Sequence, residues 1–282
     1  MAKKQKIRLQ RIEEAVQSDI DQLVQLLKEK PAGAEYIHRV RVHIKRLRAW
    51  LRLQRVKIDE FYWKDMDTYL RDHALSLGQV RDKQITSEKL QKFATRTTSA
   101  DEVTAINRVL RNCKDLEATA TIDWGGLKQG LLADLSMYRE YYICVHSIKE
   151  LRTDLKRQYK RTRNSARNAY AETARFEDLH RLRKDVKTLN YQVGFLNKGF
   201  NNRAKPVKKK LAMLGELLGH VHDIDVIQHY INQIPARQLY KAQRACMARI
   251  LERELQQLLL ESRALYDSTF CDPAKDFISF IK

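Results

Sequence analysis

The chain has little that would break a helix. Only 4 prolines and 9 glycines punctuate its 282 residues. The stretches between them carry a 3.6-residue apolar period with few β-branched runs, which disfavours a β-rich fold and predicts an all-helical one. Cysteine is equally sparse. Cys113, Cys144, Cys246 and Cys271 stand far apart and form no CxxC pair, so neither a zinc knuckle nor a redox dithiol is readable. Long apolar runs are missing: no uncharged stretch approaches the roughly 18 residues of a spanning helix, and none follows the basic Met1 to Arg8 segment. A cytoplasmic protein without membrane contact is expected, with Lys3 and Lys4 in a disordered tail.

Acidic residues are also in short supply. With 54 Lys and Arg against 35 Asp and Glu, the net charge is +19 and the pI about 9.8, which favours a phosphate-rich partner such as nucleic acid, anionic membrane or phosphate polymer. The surplus is concentrated. Between Lys149 and Lys210 there are 19 Lys and Arg but 6 Asp and Glu. A Walker loop and Gly-x-Ser-x-Gly are both lacking, and the basic stripes contain no carboxylate to hold Mg²⁺. No enzyme, cofactor or metal site is therefore expected. A hydrophobic content of 43 % suffices for a sizeable core.

What is present is a repeated histidine-led basic stripe. His38, Arg41 and Lys45 recur 142 residues later as His180, Arg183 and Lys187. Positions i, i+3 and i+7 fall within an arc of about 60° on one helix face. The adjoining apolar residues repeat at the same offset: Ile37, Val40, Ile44, Leu47 and Leu51 match Leu179, Leu182, Val186, Leu189 and Val193. Such a cation row borders a buried face, so an anion held there would be half-sheltered and gripped more strongly than on open surface. The first stripe continues through Arg48 and Arg52, a line rather than a point.

Helices are predicted near 8–29, 34–56, 59–79, 81–95, 101–118, 126–146, 147–172, 176–197, 205–219, 223–232 and 236–266. A second repeated element, Leu77 to Ile85 and Leu218 to Val226, aligns Gly78 with Gly219, Val80 with Val221 and Asp82 with Asp223. Together these predict two repeats, about 8–120 and 124–270, separated at the polar stretch 118–126. Two antiparallel helical bundles related by pseudo-two-fold symmetry around a basic central cavity are the expected architecture. Glycine followed by aspartate reads most simply as a helix-turn-helix corner. The alternative is that Asp223 or Asp225 orients a cation or histidine of the basic face, and His222 is open to either reading.

A third cation line, Lys149, Arg152, Lys156, Tyr159, Arg163 and Arg167, extends about 27 Å along one predicted helix. Lys205, Lys208, Lys209 and Lys210 open another helix and offer a further wall. Arginine forks suit phosphate oxygens, whereas lysine tolerates changes of register along a polyanion.

These residues resemble the CHAD domain, the conserved histidine α-helical domain. The likeness rests on His-x-x-Arg-x-x-x-Lys-Arg-Leu-Arg at 38–48, His-x-x-Arg-Lys-x-x-Lys at 180–187 with Tyr191 one turn on, and Leu-Gly-x-Val-His-Asp-x-Asp-Val at 218–226. It covers about residues 8–270. The resemblance implies a basic channel that binds inorganic polyphosphate, with Lys184 among its cations, and association with polyphosphate granules. Arg81 and Gln84 depart from His222 and Asp225, which weakens that corner of the first repeat. Nucleic-acid binding is the alternative function. The buried edges on which the cations lie leave little room for a duplex about 20 Å wide, as groove dimensions imply.

Overall fold

Apolar residues recur every three or four positions along most of the chain, and coiling each stripe into a helix lets it be buried whole. In the computed structural model, which describes residues 2–31, 33–55, 58–77, 87, 89–95, 99–114, 123–144 and 147–281, the helices are α1 (Ala2–Lys28), α2 (Gly33–Arg52), α3 (Glu60–Ser76), α4 (Ala100–Lys114), α5 (Trp124–Tyr141), α6 (Ile148–Ala169), α7 (Phe176–Gly199), α8 (Lys205–Gln233), α9 (Lys241–Thr269) and α10 (Ala274–Phe277). Residues 89–95 are also helical, and a 3₁₀ turn, Ile278–Phe280, follows α10. Among the described residues there is no strand, and no helix is long and apolar enough to cross a membrane.

The hub is α7, which packs against α1, α2, α6 and α8. Leu179, Leu182, Val186, Leu189 and Val193 of α7 and their counterparts Ile37, Val40, Ile44, Leu47 and Leu51 of α2 are all buried in one core. Polar anchors fix the helices around it. Gln192 donates to the carbonyl of Ala49 at 3.0 Å, tying α7 to α2. Trp50 and Gln54 both donate to the carbonyl of Tyr142, at 2.9 and 2.7 Å. Between α7 and α8 the chain reverses through Asn201 and Asn202, both left-handed with φ of 52° and 60°, a conformation asparagine tolerates. Asn197 closes the turn by accepting from the Ala204 amide at 2.8 Å.

A second core joins α4 to the far half of α8 and to α9, through Ile106, Val109, Ile227, Ile231, Met247 and Ile250. In turn α5 packs on α1 and α3. Contacts therefore run across the polar stretch at 118–126, of which 118–122 lie outside the described residues. Asp123 N-caps α5, its carboxylate accepting from the Gly126 amide at 3.1 Å. Gly78 to Gln84, including Arg81 and Asp82, also lie outside.

Two expectations are corrected. The predicted helices 205–219 and 223–232 are one continuous helix, so Gly219 and Asp223 form no corner. A mid-helix glycine costs about 1 kcal/mol relative to alanine, but the buried stripe Leu211, Leu214, Leu218, Val221, Ile224, Ile227 and Ile231 continues past it and keeps the helix whole. Nor are Lys3 and Lys4 in a disordered tail, because α1 already begins at Ala2.

Glycine substitutions test this arrangement. A methyl group on Gly219 would meet Arg183 Nε no closer than 3.9 Å, so Gly219→Ala should raise stability by up to about 1 kcal/mol. At Gly199 the same methyl would lie 2.8 Å from the Arg8 carbonyl and 2.7 Å from Ile12, and Gly199→Ala should cost about 1–3 kcal/mol. Urea denaturation of both variants reads the signs, and a large loss at Gly219 would restore the corner.

Candidate anion-binding cluster

The cations of α7 run along the edge of its buried stripe, and α8 lies close because two glycines face them. The Cβ position of Gly215 is 3.5 Å from Lys187 Cγ, and that of Gly219 is 3.9 Å from Arg183 Nε. One turn further along α8, His222 meets His180, with the two Nδ1 atoms 3.3 Å apart and the ring centroids 4.6 Å apart. For these nitrogens to share a hydrogen bond, one must carry a proton and the other a lone pair.

Electrostatics shows which charges converge here. Burial, then Lys184, Arg183 and Lys45, push the His180 pKa down to about 4. Burial, then Arg183, His180, Lys184 and Lys187, push His222 down to about 3. Lys184 is lowered by burial and by Arg183, Arg48 and Arg52. Cations of α2 and α7 thus lie within each other's field. At the other end, burial and the neighbouring Arg46 and Lys198 lower Lys208. Tyr191 is raised by burial, against the opposing pull of Arg46 and Arg183.

Carboxylates pin part of this array. Arg48 donates to both Asp67 oxygens at 2.9 Å, and Arg52 approaches the same carboxylate at 3.2 Å. On α1, the buried Asp19 holds His43 and Arg46, each at 3.0 Å. Buried Asp185 of α7 takes Arg161 at 2.9 Å and accepts from Ser165 at 2.6 Å.

Several expected site residues lie elsewhere. Arg152 and Lys156 line a separate cleft with Lys149. Tyr159 is a core residue: it is fully buried, packs in one aromatic cluster with Phe270 and Phe277, and donates to the carbonyl of Asp272 at 2.5 Å. Arg163 lies over the Tyr159 ring at 6.0 Å, and Arg163 and Arg167 both act on Tyr266 of α9. The reason is angular, since α6 turns Arg161 toward α7 and the line from Arg152 to Arg167 lies about 160–240° away around the helix. Asp223 and Asp225 do not orient the histidine pair. Asp223 is bridged to Lys89 at 3.3 Å, and Asp225 to His229 at 3.3 Å.

The remainder is split. Arg41 donates to the Ala74 carbonyl at the end of α3. His38 is half-buried, and its Nδ1 has no hydrogen-bond partner among the described residues. Lys205 and Lys209 are exposed, whereas Lys210 reaches the Ser268 carbonyl of α9 at 2.9 Å. Arg46, Arg161, Asp19, Asp67 and Asp185 were missed by sequence reasoning. Asp185 stands inside the 180–187 motif and was legible there, while Asp67 and Asp19 carry no local signal.

A helical protein whose paired histidines, one on α7 and one on α8, lie beside cations of α2 and α7 is what the geometry defines. Residues 14–232, well over half of the chain, match the CHAD domain model, and the chain belongs to the CHAD domain family. No curated protein matches it.

Two measurements follow. Folding holds the pKa of His180 and His222 below the ordinary 6.5. The unfolded chain therefore gains protons first, and the associated stability is full above pH 6.5 and declines as pH falls toward 4. The urea midpoint of the wild type should drop between pH 7.5 and 5 more steeply than that of a His180→Gln, His222→Gln double variant, and parallel curves would contradict the shifts. Asp67→Asn should cost about 1–3 kcal/mol, because it leaves Arg48 and Arg52 without their shared charge. The same denaturation experiment reads it.

Proposed function

We propose that this chain is a non-catalytic binding protein for inorganic polyphosphate, which lies along α7 in a groove walled by α2 and α8. The observation that carries this reading is the His180–His222 contact at 3.3 Å, beside which Arg183 and Lys187 lie against Gly219 and Gly215 of α8, with Lys45 and Lys184 acting on the same histidines. Like charges held this closely gain from an anion that neutralises several at once. Two related bundles facing each other across the α2–α7 contact would give the pseudo-two-fold arrangement around this groove. A cytoplasmic location, on polyphosphate granules where they exist, follows from the same reading.

Binding draws protons to the histidines, since a bound anion favours their charged form, so affinity rises as pH falls. It also falls steeply with salt, because each engaged cation releases counterions from the polymer. Both are read by titrating long-chain polyphosphate, with DNA of equal charge as competitor. Arg183→Gln with Lys187→Gln should weaken polyphosphate binding by at least tenfold. Lys241→Gln with Arg249→Gln, the same change of charge on exposed sites of α9, should leave it within about twofold. Equal losses in the two doubles would reduce the interaction to net charge, and tighter binding of DNA would favour a nucleic-acid protein.

A further inference from the structure

The first half of the cation line on α6 borders a concave surface. Lys149, Arg152 and Lys156 form one side of a cleft of about 750 Å³ whose other cations are Lys4 and Arg8 of α1 and Arg203 of the α7–α8 turn. Gln5, Ile148, Thr153, Ile278 and Ile281 complete the lining, and among the described residues no acidic side chain belongs to it. The size suits a small ligand. The position is separate from the histidine pair, because Arg152 lies on the face of α6 roughly opposite Arg161, the residue turned toward α7.

The contrast with the rest of the protein points to a ligand. Arg46, Arg48, Arg52 and Arg161 each have a carboxylate from the protein itself. Among the described residues, the side chains of Lys4, Lys149, Arg152, Lys156 and Arg203 have no such partner. Cations gathered in a concave site focus a positive potential that an external anion relieves. On α6 they span seven residues, or about 10 Å, and α1 and the turn face them across the cleft. One tetrahedral anion would leave most of them unanswered. A row of linked phosphates would meet arginine forks and mobile lysines together.

We infer that this cleft is a second, independent anion site, which holds a short chain of linked phosphates. Such a chain can come from free tripolyphosphate or from the triphosphate of a nucleotide, and both present the same oxygens.

Calorimetric titration with sodium tripolyphosphate, ATP and orthophosphate at physiological salt tests the inference on the full chain. The Arg183→Gln, Lys187→Gln variant should still bind one tripolyphosphate per chain. Adding Arg152→Gln with Lys156→Gln should weaken that site at least tenfold, and adding Lys4→Gln with Lys149→Gln instead gives an independent check should the first pair perturb folding. Circular dichroism confirms helicity in each case. ATP binding as tightly as tripolyphosphate identifies a nucleotide as a competent source, and tripolyphosphate binding alone identifies the free chain. The inference is overturned if the α7 double alone abolishes tripolyphosphate binding, if both cleft pairs leave it unchanged, or if orthophosphate competes at equal concentration. A wild type with one site, lost only through the cleft pairs, would instead remove the groove along α7 and leave the cleft standing.

Discussion

The packing of α2 on α7 is the constraint from which the rest follows. Each helix buries an aliphatic stripe in the common core, and each carries its cations in the sector next to that stripe. Neither row can turn into solvent without withdrawing leucines and isoleucines. Ten such side chains contribute roughly 1.5–3 kcal/mol each. Two cations 8 Å apart at an effective dielectric constant of 20 repel by only about 2 kcal/mol. Burial wins, and the cations are held together against their own repulsion.

The protein moderates that repulsion unevenly. Asp19, Asp67 and Asp185 each lie beneath one or two arginines and fix their heads in place. An arginine held this way is oriented but partly spent, since its nearest negative charge is already supplied. Along α7 the cations are crowded as well as half-sheltered: burial first, and neighbouring positive charges second, depress the protonation of His180, His222 and Lys184. Arg46, Arg48, Arg52 and Arg161 thus serve the fold through carboxylates of the protein itself.

Much of this could be read before any coordinates. The 3.6-residue period gave the helices, and the repeat of His38, Arg41 and Lys45 at 180–187 singled out the two helices that meet at the centre. The sequence misled where one residue was given more weight than its surroundings. Gly219 suggested a break, yet the stripe from Leu211 to Ile231 carried α8 through it. Tyr159 falls in line with five cations by spacing, yet its ring packs against Phe270 and Phe277 in the core. Spacing along one helix shows which residues share a face. It does not show which neighbour that face will meet, and α6 meets the C-terminal segment on one side and α7 on the other. The carboxylates of Asp19 and Asp67 belong to helices whose approach is decided only in three dimensions.

That two histidines occupy the most crowded point has a physical sense that lysine would lack. A lysine at position 180 or 222 would add a full, partly desolvated charge to a cluster already crowded with cations. A histidine can stay neutral there, and the pair, with Nδ1 atoms 3.3 Å apart, can satisfy each other by a hydrogen bond while the site is empty. On the reading proposed above, an entering anion would reverse the field that opposes protonation, and the same rings could then take up protons. The charge of the cluster would follow the charge of what it held, and the cost of concentrating positive charge would fall mainly on the bound state, where the ligand offsets it.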